Sequence, residues 1–202
     1  FDTAEKVWPL LEDLGVSRDD VDIHQWAFYS HNIRMADRWR VGRVLLVGDA
    51  GHLMPPWAGA GMQSGIRDSF NVAWKLREVL AGRMDESVLD TYQAERQPNV
   101  AFFTEVAVGL GRIIKQELTP EEQAAMVPPE GEEPPPPPLL LPPFYVAGWL
   151  RGAPTPDSAI GKMIPQPLAA NERGVILPLD ELLGTDFVLL GDGVDPATLL
   201  SA

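Results

Sequence analysis

The residues best equipped for chemistry lie in one run: Arg43-Val-Leu-Leu-Val-Gly-Asp-Ala-Gly-His-Leu-Met-Pro-Pro-Trp-Ala-Gly-Ala-Gly-Met-Gln-Ser-Gly-Ile-Arg-Asp. An apolar stretch stops at Gly48, and Gly48 to Gly61 then holds four glycines and two prolines. Asp49, at the carboxyl end of the apolar stretch, is placed to accept hydrogen bonds from hydroxyl groups. Gly59 and Gly61 remove side chains where a flat ligand would approach the backbone. The helix that follows offers its first N–H groups and the positive end of its dipole to an anion or an electron-rich ring. Two readings of the stretch are open: a site for a nucleotide-like or phosphate-like ligand, and a plain structural turn.

Three elements must position these residues. Arg43 to Val47 reads as a strand buried on both faces. Gly48 to Gly61 reads as an irregular loop. A helix with Ile66, Phe70, Ala73, Trp74 and Leu80 on roughly one side follows, with Gly82 placed to end it. Upstream, Val7, Leu10, Leu11 and Leu14 have helical spacing over Thr3 to Leu14, closed by Gly15. Val21 to Tyr29 and Asn32 to Ala36 read as strands. Downstream, a helix starts near Ser87 with Leu89, Tyr92 and Arg96, is bent or interrupted at Pro98, and resumes over Val100 to Ile114. Pro128 to Pro143 includes five consecutive prolines, Pro134 to Pro138. That run reads as a surface connection of extended polyproline geometry, with a ligand for a polyproline-binding domain as the second reading. Gly174 to Leu179 and Phe187 to Leu190 read as strands around a turn or short helix at Asp180 to Leu183. Gly191-Asp192-Gly193 reads as a turn.

Composition narrows the functions. At 202 residues, 45% hydrophobic and 22% charged, the chain suffices for one domain and part of another. A net charge of −13 opposes binding to nucleic acid or to an anionic membrane. The lack of cysteine excludes disulfides, thiolate metal sites and thiol catalysis, and fits a reducing cytoplasm. No signal peptide and no apolar run of transmembrane length is present, so the expectation is a soluble cytoplasmic chain. His24, His31 and His52 lack metal-ligand spacing, and His52 is expected to make a structural hydrogen bond. Arg34, Arg38, Arg40 and Arg43 form a solvated strand connection in one reading and steer an anionic substrate in the other. Trp57 and Met54 border a substrate cavity or belong to the core.

The central stretch resembles the second FAD motif of the class A flavoprotein monooxygenases, the para-hydroxybenzoate hydroxylase superfamily. Gly48, Asp49, Ala50, His52, Pro55, Pro56, Gly59, Gly61, Asp68, Asn71, Trp74, Lys75 and Leu76 carry the resemblance. Within that family it is similar to the 3-(3-hydroxyphenyl)propionate hydroxylase and phenol hydroxylase branch. The residues that point there are His52 to Pro55, Ser64 to Asp68, Gly161-Lys162-Met163 and Pro165-Gln166-Pro167. The match runs from about Trp8 to Leu190 and is weakest across the polyproline run. Gly51 stands where the family more often has Ala, and Gln63 where it often has Asn.

The resemblance implies an α/β fold: the C-terminal part of a glutathione-reductase-like FAD-binding domain, a helical segment, and the start of a truncated thioredoxin-like domain. It implies four stretches: the end of a substrate-binding sheet at 1–38, the FAD-binding part with helices at 39–126, a proline-rich linker at 127–145, and a connection into the C-terminal domain at 146–202. The cofactor residues it implies are Gly48, Asp49, Ala50, Pro55, Pro56, Gly59, Ala60, Gly61, Met62 and Gln63. Asp49 would bond the ribityl chain of FAD, with Pro56 and Gly59 against the isoalloxazine ring. The N–H groups of Gly61, Met62 and Gln63 would face its pyrimidine edge. Tyr92 to Arg96 is implied to pack helices.

The implied reaction uses NADH or NADPH and oxygen to hydroxylate a small phenolic substrate, with no nucleic acid or membrane partner and a homodimer as the assembly to test. The alternatives are a flavin-dependent dehydrogenase or reductase, and a non-catalytic binding module. No Gly-X-Gly-X-X-Gly fingerprint and no central Asp-Gly motif are present, so the resemblance is to a C-terminal portion that requires an N-terminal part for full FAD binding.

Overall fold

The computed structural model describes residues 3–27, 29–127, 144–148, 150–184, 187–190 and 198. They form a mixed α/β chain with two compact units, Phe1–Arg151 and Gly152–Ala202. The polyproline run and the Gly191-Asp192-Gly193 turn lie outside the described residues.

The first unit opens with a 3-10 turn, Ala4–Lys6, and helix α1, Trp8–Asp13, which has Pro9 in its first turn. Gly15 closes it at φ 79°, donating its N–H to Glu12 at 2.9 Å. Strand β1, Arg34–Met35, lies within the expected second strand. The described part of Val21 to Tyr29 is irregular instead of a strand, and Val21, Trp26 and Tyr29 are exposed. A strand needs a neighbouring backbone to pair with, and no strand among the described residues pairs with this segment.

A second correction concerns Arg43 to Val47. Only Val44–Leu45 is strand (β3), paired antiparallel with β2, Arg40–Val41, across a turn at Gly42. Arg43 and Val44 are exposed, so the run is not covered on both faces. An apolar run reports average burial, whereas two covered faces require elements packed above and below the strand, and exposed Val41 and Val44 show that one face of this hairpin is open. The predicted irregular loop also contains a strand, β4, His52–Leu53, which pairs antiparallel with β1.

Helices α2, Ala60–Leu80, and α3, Thr91–Ile114, form the frame. Gly82 stops α2 at φ 68°, as its position predicts. Between the helices, Asp85 caps a 3-10 turn, Glu86–Asp90, by accepting from Ser87 N–H. Pro98 does not interrupt α3. It removes one backbone donor, but Arg96, Asn99 and Val100 are buried around it and hold the helix in place. Trp39, Val72, Tyr92 and Val100 make the core cluster. Tyr92 donates its hydroxyl to Leu46 O at 3.0 Å, and Gln93 accepts from Trp39 N–H and donates to Asp37 O, so α3 carries the β2–β3 hairpin. Helix α4, Pro120–Ala125, has a capping box from Thr119 and Glu122.

The buried face of α2 differs from its predicted apolar stripe. Ser64, Asp68, Val72, Lys75 and Glu78 are buried, while Ile66, Phe70 and Leu80 are exposed. Hydrogen bonds explain the inversion: Lys75 Nζ donates to Thr91 Oγ1 at 2.6 Å and to Glu95 at 2.7 Å, and Asn71 donates to the same carboxylate oxygen. Buried charge is tolerated where it is paired and hydrogen-bonded. Burial lowers the Lys75 pKa, against the opposing pull of Glu95.

In the second unit, β5, Leu168–Ala170, pairs antiparallel with β6, Ile176–Pro178, and helix α5, Leu179–Leu183, follows. The side-chain oxygen of Asn171 accepts from the N–H groups of Arg173 and Val175, which shapes the turn between the strands. Phe187 to Leu190 is irregular, not a strand. No helix among the described residues is long and apolar enough to cross a membrane.

Candidate cofactor site

The site is built on two tight turns that flank β4. The first is the 3-10 turn Gly48–Ala50, entered at Gly48 with φ 58° and closed by Gly51 N–H donating to Gly48 O at 2.8 Å. Gly48 and Gly65 of α2 nearly touch: a Cβ on either would lie 3.3–3.4 Å from the other's Cα. Lack of side chains at both positions lets the turn sit directly on the helix.

The second turn starts at Pro55, runs through the 3-10 turn Pro56–Ala58, and ends at Gly59 with φ 61° and ψ 14°. Gly59 donates its N–H to Pro56 O at 2.8 Å and is also the N-cap of α2. Glycine alone enters this left-handed region without steric cost. No side chain caps α2, so the N–H groups of its first turn keep the donor capacity that every helix start has.

Between the turns lies an open pocket of about 290 Å³, lined by Asp49, Leu53, Met54, Pro55, Pro56, Gly59, Gly61 and Met62. Of the ten residues expected at a cofactor, it brings together Asp49, Pro55, Pro56, Gly59, Gly61 and Met62. Gly48 and Ala60 are buried behind it, and Ala50 and Gln63 are exposed outside its lining. Leu53 was missed, because an alternating strand residue in a glycine-rich stretch gives no local signal. Met54 faces both ways, lining the pocket and packing against the core. Trp57 points away from the pocket: its indole lies against Gly111 of α3 and meets His31 edge-on at 5.5 Å.

Asp68 stands behind the first turn, fully buried. Its Oδ2 accepts from His52 Nε2 at 2.7 Å and from Gly48 N–H at 3.3 Å, and its Oδ1 accepts from Arg96 Nε at 2.8 Å. Burial pushes the Asp68 carboxyl up, but the hydrogen bonds from His52 and Arg96 outweigh it and hold the group below the usual range. Asp68 therefore stays a carboxylate, and His52 donates from Nε2. The structural hydrogen bond expected of His52 is this one. Arg96 also donates to Asn99 at 3.0 Å. The sequence signalled this cluster at His52, read as making a structural hydrogen bond, and at Asp68, an acidic residue four positions after Ser64 in mid-helix.

The arginine cluster separates. Arg40 bonds Asp90 at 2.6 Å and Glu86 at 2.5 Å, fastening the hairpin to the turn before α3. Arg34, Arg38 and Arg43 are exposed.

A family model described as "FAD binding domain" matches residues 1–107, and one described as "HcaD C-terminal domain" matches residues 161–202. The 3-(3-hydroxy-phenyl)propionate/3-hydroxycinnamic acid hydroxylase of Escherichia coli strain K12 is 34% identical over 196 residues, covering 93% of this chain and 35% of the relative. The protein of the same name from Escherichia coli O139:H28 matches to the same extent. The chain thus spans about a third of the length of these curated relatives. Among solved structures, a ternary complex of aklavinone-11 hydroxylase with FAD and aklavinone aligns with a TM-score of 0.63 and 26% identity, over 91% of this chain and 36% of that one.

Proposed function

Because the chain belongs to the FAD-binding-domain family, we propose that it is part of an FAD-dependent monooxygenase that hydroxylates a small phenolic compound with NADH or NADPH and oxygen. The observation that carries this reading is the pocket between Asp49 and the uncapped start of α2, in a chain similar to two named hydroxylases.

The residues fit one end of the cofactor. A Cβ at Gly59 would meet nothing within 4 Å, so the backbone there is open to a flat ring. A carboxylate on one wall suits hydroxyl groups, and helix amides on the other suit an electron-rich edge. In this proposal Asp49 holds the ribityl hydroxyls, Pro56 and Gly59 flank the ring, and the N–H groups of Gly61, Met62 and Gln63 meet its pyrimidine edge. Gly48, Ala50, Pro55 and Ala60 shape the backbone around it. FAD, when bound, supplies the redox chemistry; the chain orients it and screens it from water. At about 290 Å³ the pocket is small for a dinucleotide, which supports the further proposal that full affinity needs more of the fold than this chain contains. A cytoplasmic location and a homodimer belong to the same proposal.

The test has two arms. Titrating FAD into the purified chain, followed by flavin fluorescence, should show weak binding or none; tight stoichiometric retention would refute the need for more of the fold. The full-length gene product should consume NADH or NADPH in the presence of a phenol and place oxygen-18 from labelled oxygen in the product. Turnover without label in the product would replace the monooxygenase by a dehydrogenase or reductase. No turnover with any phenol would favour a binding module.

A further inference from the structure

Both walls of the pocket hang from a single helix. The first residues of α2, Gly61 and Met62, are one wall. One and two turns further along, Gly65 and Asp68 hold the turn that carries the other wall, Asp49. Asp68 Oδ2 grips that turn at both ends, at the Gly48 N–H and at His52 Nε2, so that residues 48 to 52 are bracketed by one oxygen atom. Its Oδ1 is held by Arg96 of α3, which fixes the carboxylate plane. Asp49, by contrast, is exposed, and no hydrogen bond of its carboxylate to the rest of the described chain competes for its place in the pocket.

From this arrangement we infer that Asp68 is a positioning residue for the flavin site: it sets the distance between the Asp49 carboxylate and the amides at the start of α2 by clamping the Gly48–His52 turn to the same helix. The inference rests on the flavin reading of the pocket for its consequence, but the clamp itself is a property of the chain alone. Asp68 touches no lining surface of the pocket, so its effect on a ligand passes through the turn. Hydrogen bonds to a charged group are the strong ones, and removing a partner leaves buried donors unpaired.

The test compares Asp68→Ala and Asp68→Asn with the unaltered chain, by amide hydrogen exchange and by FAD titration. Gly51 and Ala36 report on the turn, since Gly51 N–H bonds Gly48 O and Ala36 N–H bonds Gly51 O, each at 2.8 Å. Lys115, bonded to Gly111 O at the far end of α3, is the control. With Ala, exchange at Gly51 and Ala36 should rise about tenfold or more while Lys115 stays within about twofold, and FAD affinity should fall about tenfold. With Asn, which keeps an acceptor, both effects should be partly rescued.

A uniform rise in exchange at all three amides would overturn the inference and leave Asp68 a general stabilising group. A loosened turn with unchanged FAD affinity would overturn it too, because the setting of the turn would then not matter to the ligand. If the Ala variant does not fold, the Asn variant decides by the same criteria. If the unaltered chain binds no FAD, the same substitutions in the full-length gene product supply the titration; failure of that product to bind FAD refutes the flavin reading, and the exchange pattern still decides whether the clamp exists.

Discussion

Gly111 is the position where one methyl group should be felt furthest away. A Cβ added there would lie 2.5 Å from Cδ1 and Nε1 of Trp57. Carbon contacts relax near 3.5–4.0 Å, so the indole must withdraw by roughly 1 Å. Trp57 belongs to the turn Pro56–Ala58, and Pro56 and Gly59 line the pocket, so the shift is passed to the site. Gly111→Ala should therefore lose roughly 1–3 kcal/mol to overpacking and recover about 1 kcal/mol from better helix propensity. Gly109→Ala supplies the internal control. It lies on the same helix, and its Cβ would meet nothing within 4 Å, so it should stabilise by about 1 kcal/mol. The two variants should differ by roughly 1–3 kcal/mol, or about 2–12 °C in Tm for a chain of this size. Thermal melts read the stability, and FAD titration reads the pocket: affinity should fall for Gly111→Ala and hold for Gly109→Ala. Equal melting and equal FAD affinity in the two variants would refute the coupling between α3 and the turn.

Three other substitutions probe separate parts of the argument. Gly59→Ala forces a side chain into left-handed backbone at φ 61°, costing roughly 1–2 kcal/mol, and should weaken FAD binding in the same titration. Lys75→Met leaves Glu95 without its buried cation, so chemical denaturation should show a loss of about 3 kcal/mol or more, and a Lys75→Met/Glu95→Leu double variant should recover part of it. Glu78 is held at about 2 rather than 4.5, first by its hydrogen bond to Arg83, which outweighs the opposing effect of burial, and then by its hydrogen bond to Arg77. A depressed carboxylate stabilises above its unfolded value and loses that contribution as pH falls from about 4.5 through about 2. Melts across that window should show Glu78→Gln less stable at neutral pH and converging with the unaltered chain in acid; a constant difference would show that the ion pair is not the cause.

Features that depend on neighbours in sequence were readable from it. Gly15 and Gly82 sit where the chain must turn through left-handed backbone, a local steric matter, and their positions mark the ends of α1 and α2. The succession of apolar run, glycine turns and helix start keeps Asp49, Pro55, Pro56, Gly59, Gly61 and Met62 close along the chain, and the contacts of Gly65 and Asp68 with the first turn close them into one pocket. Pairing was less legible. The apolar run before Gly48 announces burial, but its partner is the hairpin strand across Gly42, and β4 could not be read from its own residues at all.

By itself the sequence determined where α1 and α2 end and which stretch could receive a cofactor. Tertiary structure alone decided which face of α2 is inside. The spacing of Ile66, Phe70 and Leu80 favours an apolar stripe, yet those residues are exposed and Ser64, Asp68 and Lys75 are buried. Transfer energy ranks single side chains, whereas the cost of burying Asp68 and Lys75 is offset only by partners distant along the chain: His52 and Arg96 for one, Thr91 and Glu95 for the other. Those partners are brought together by the packing of α2 against α3, which no local pattern encodes.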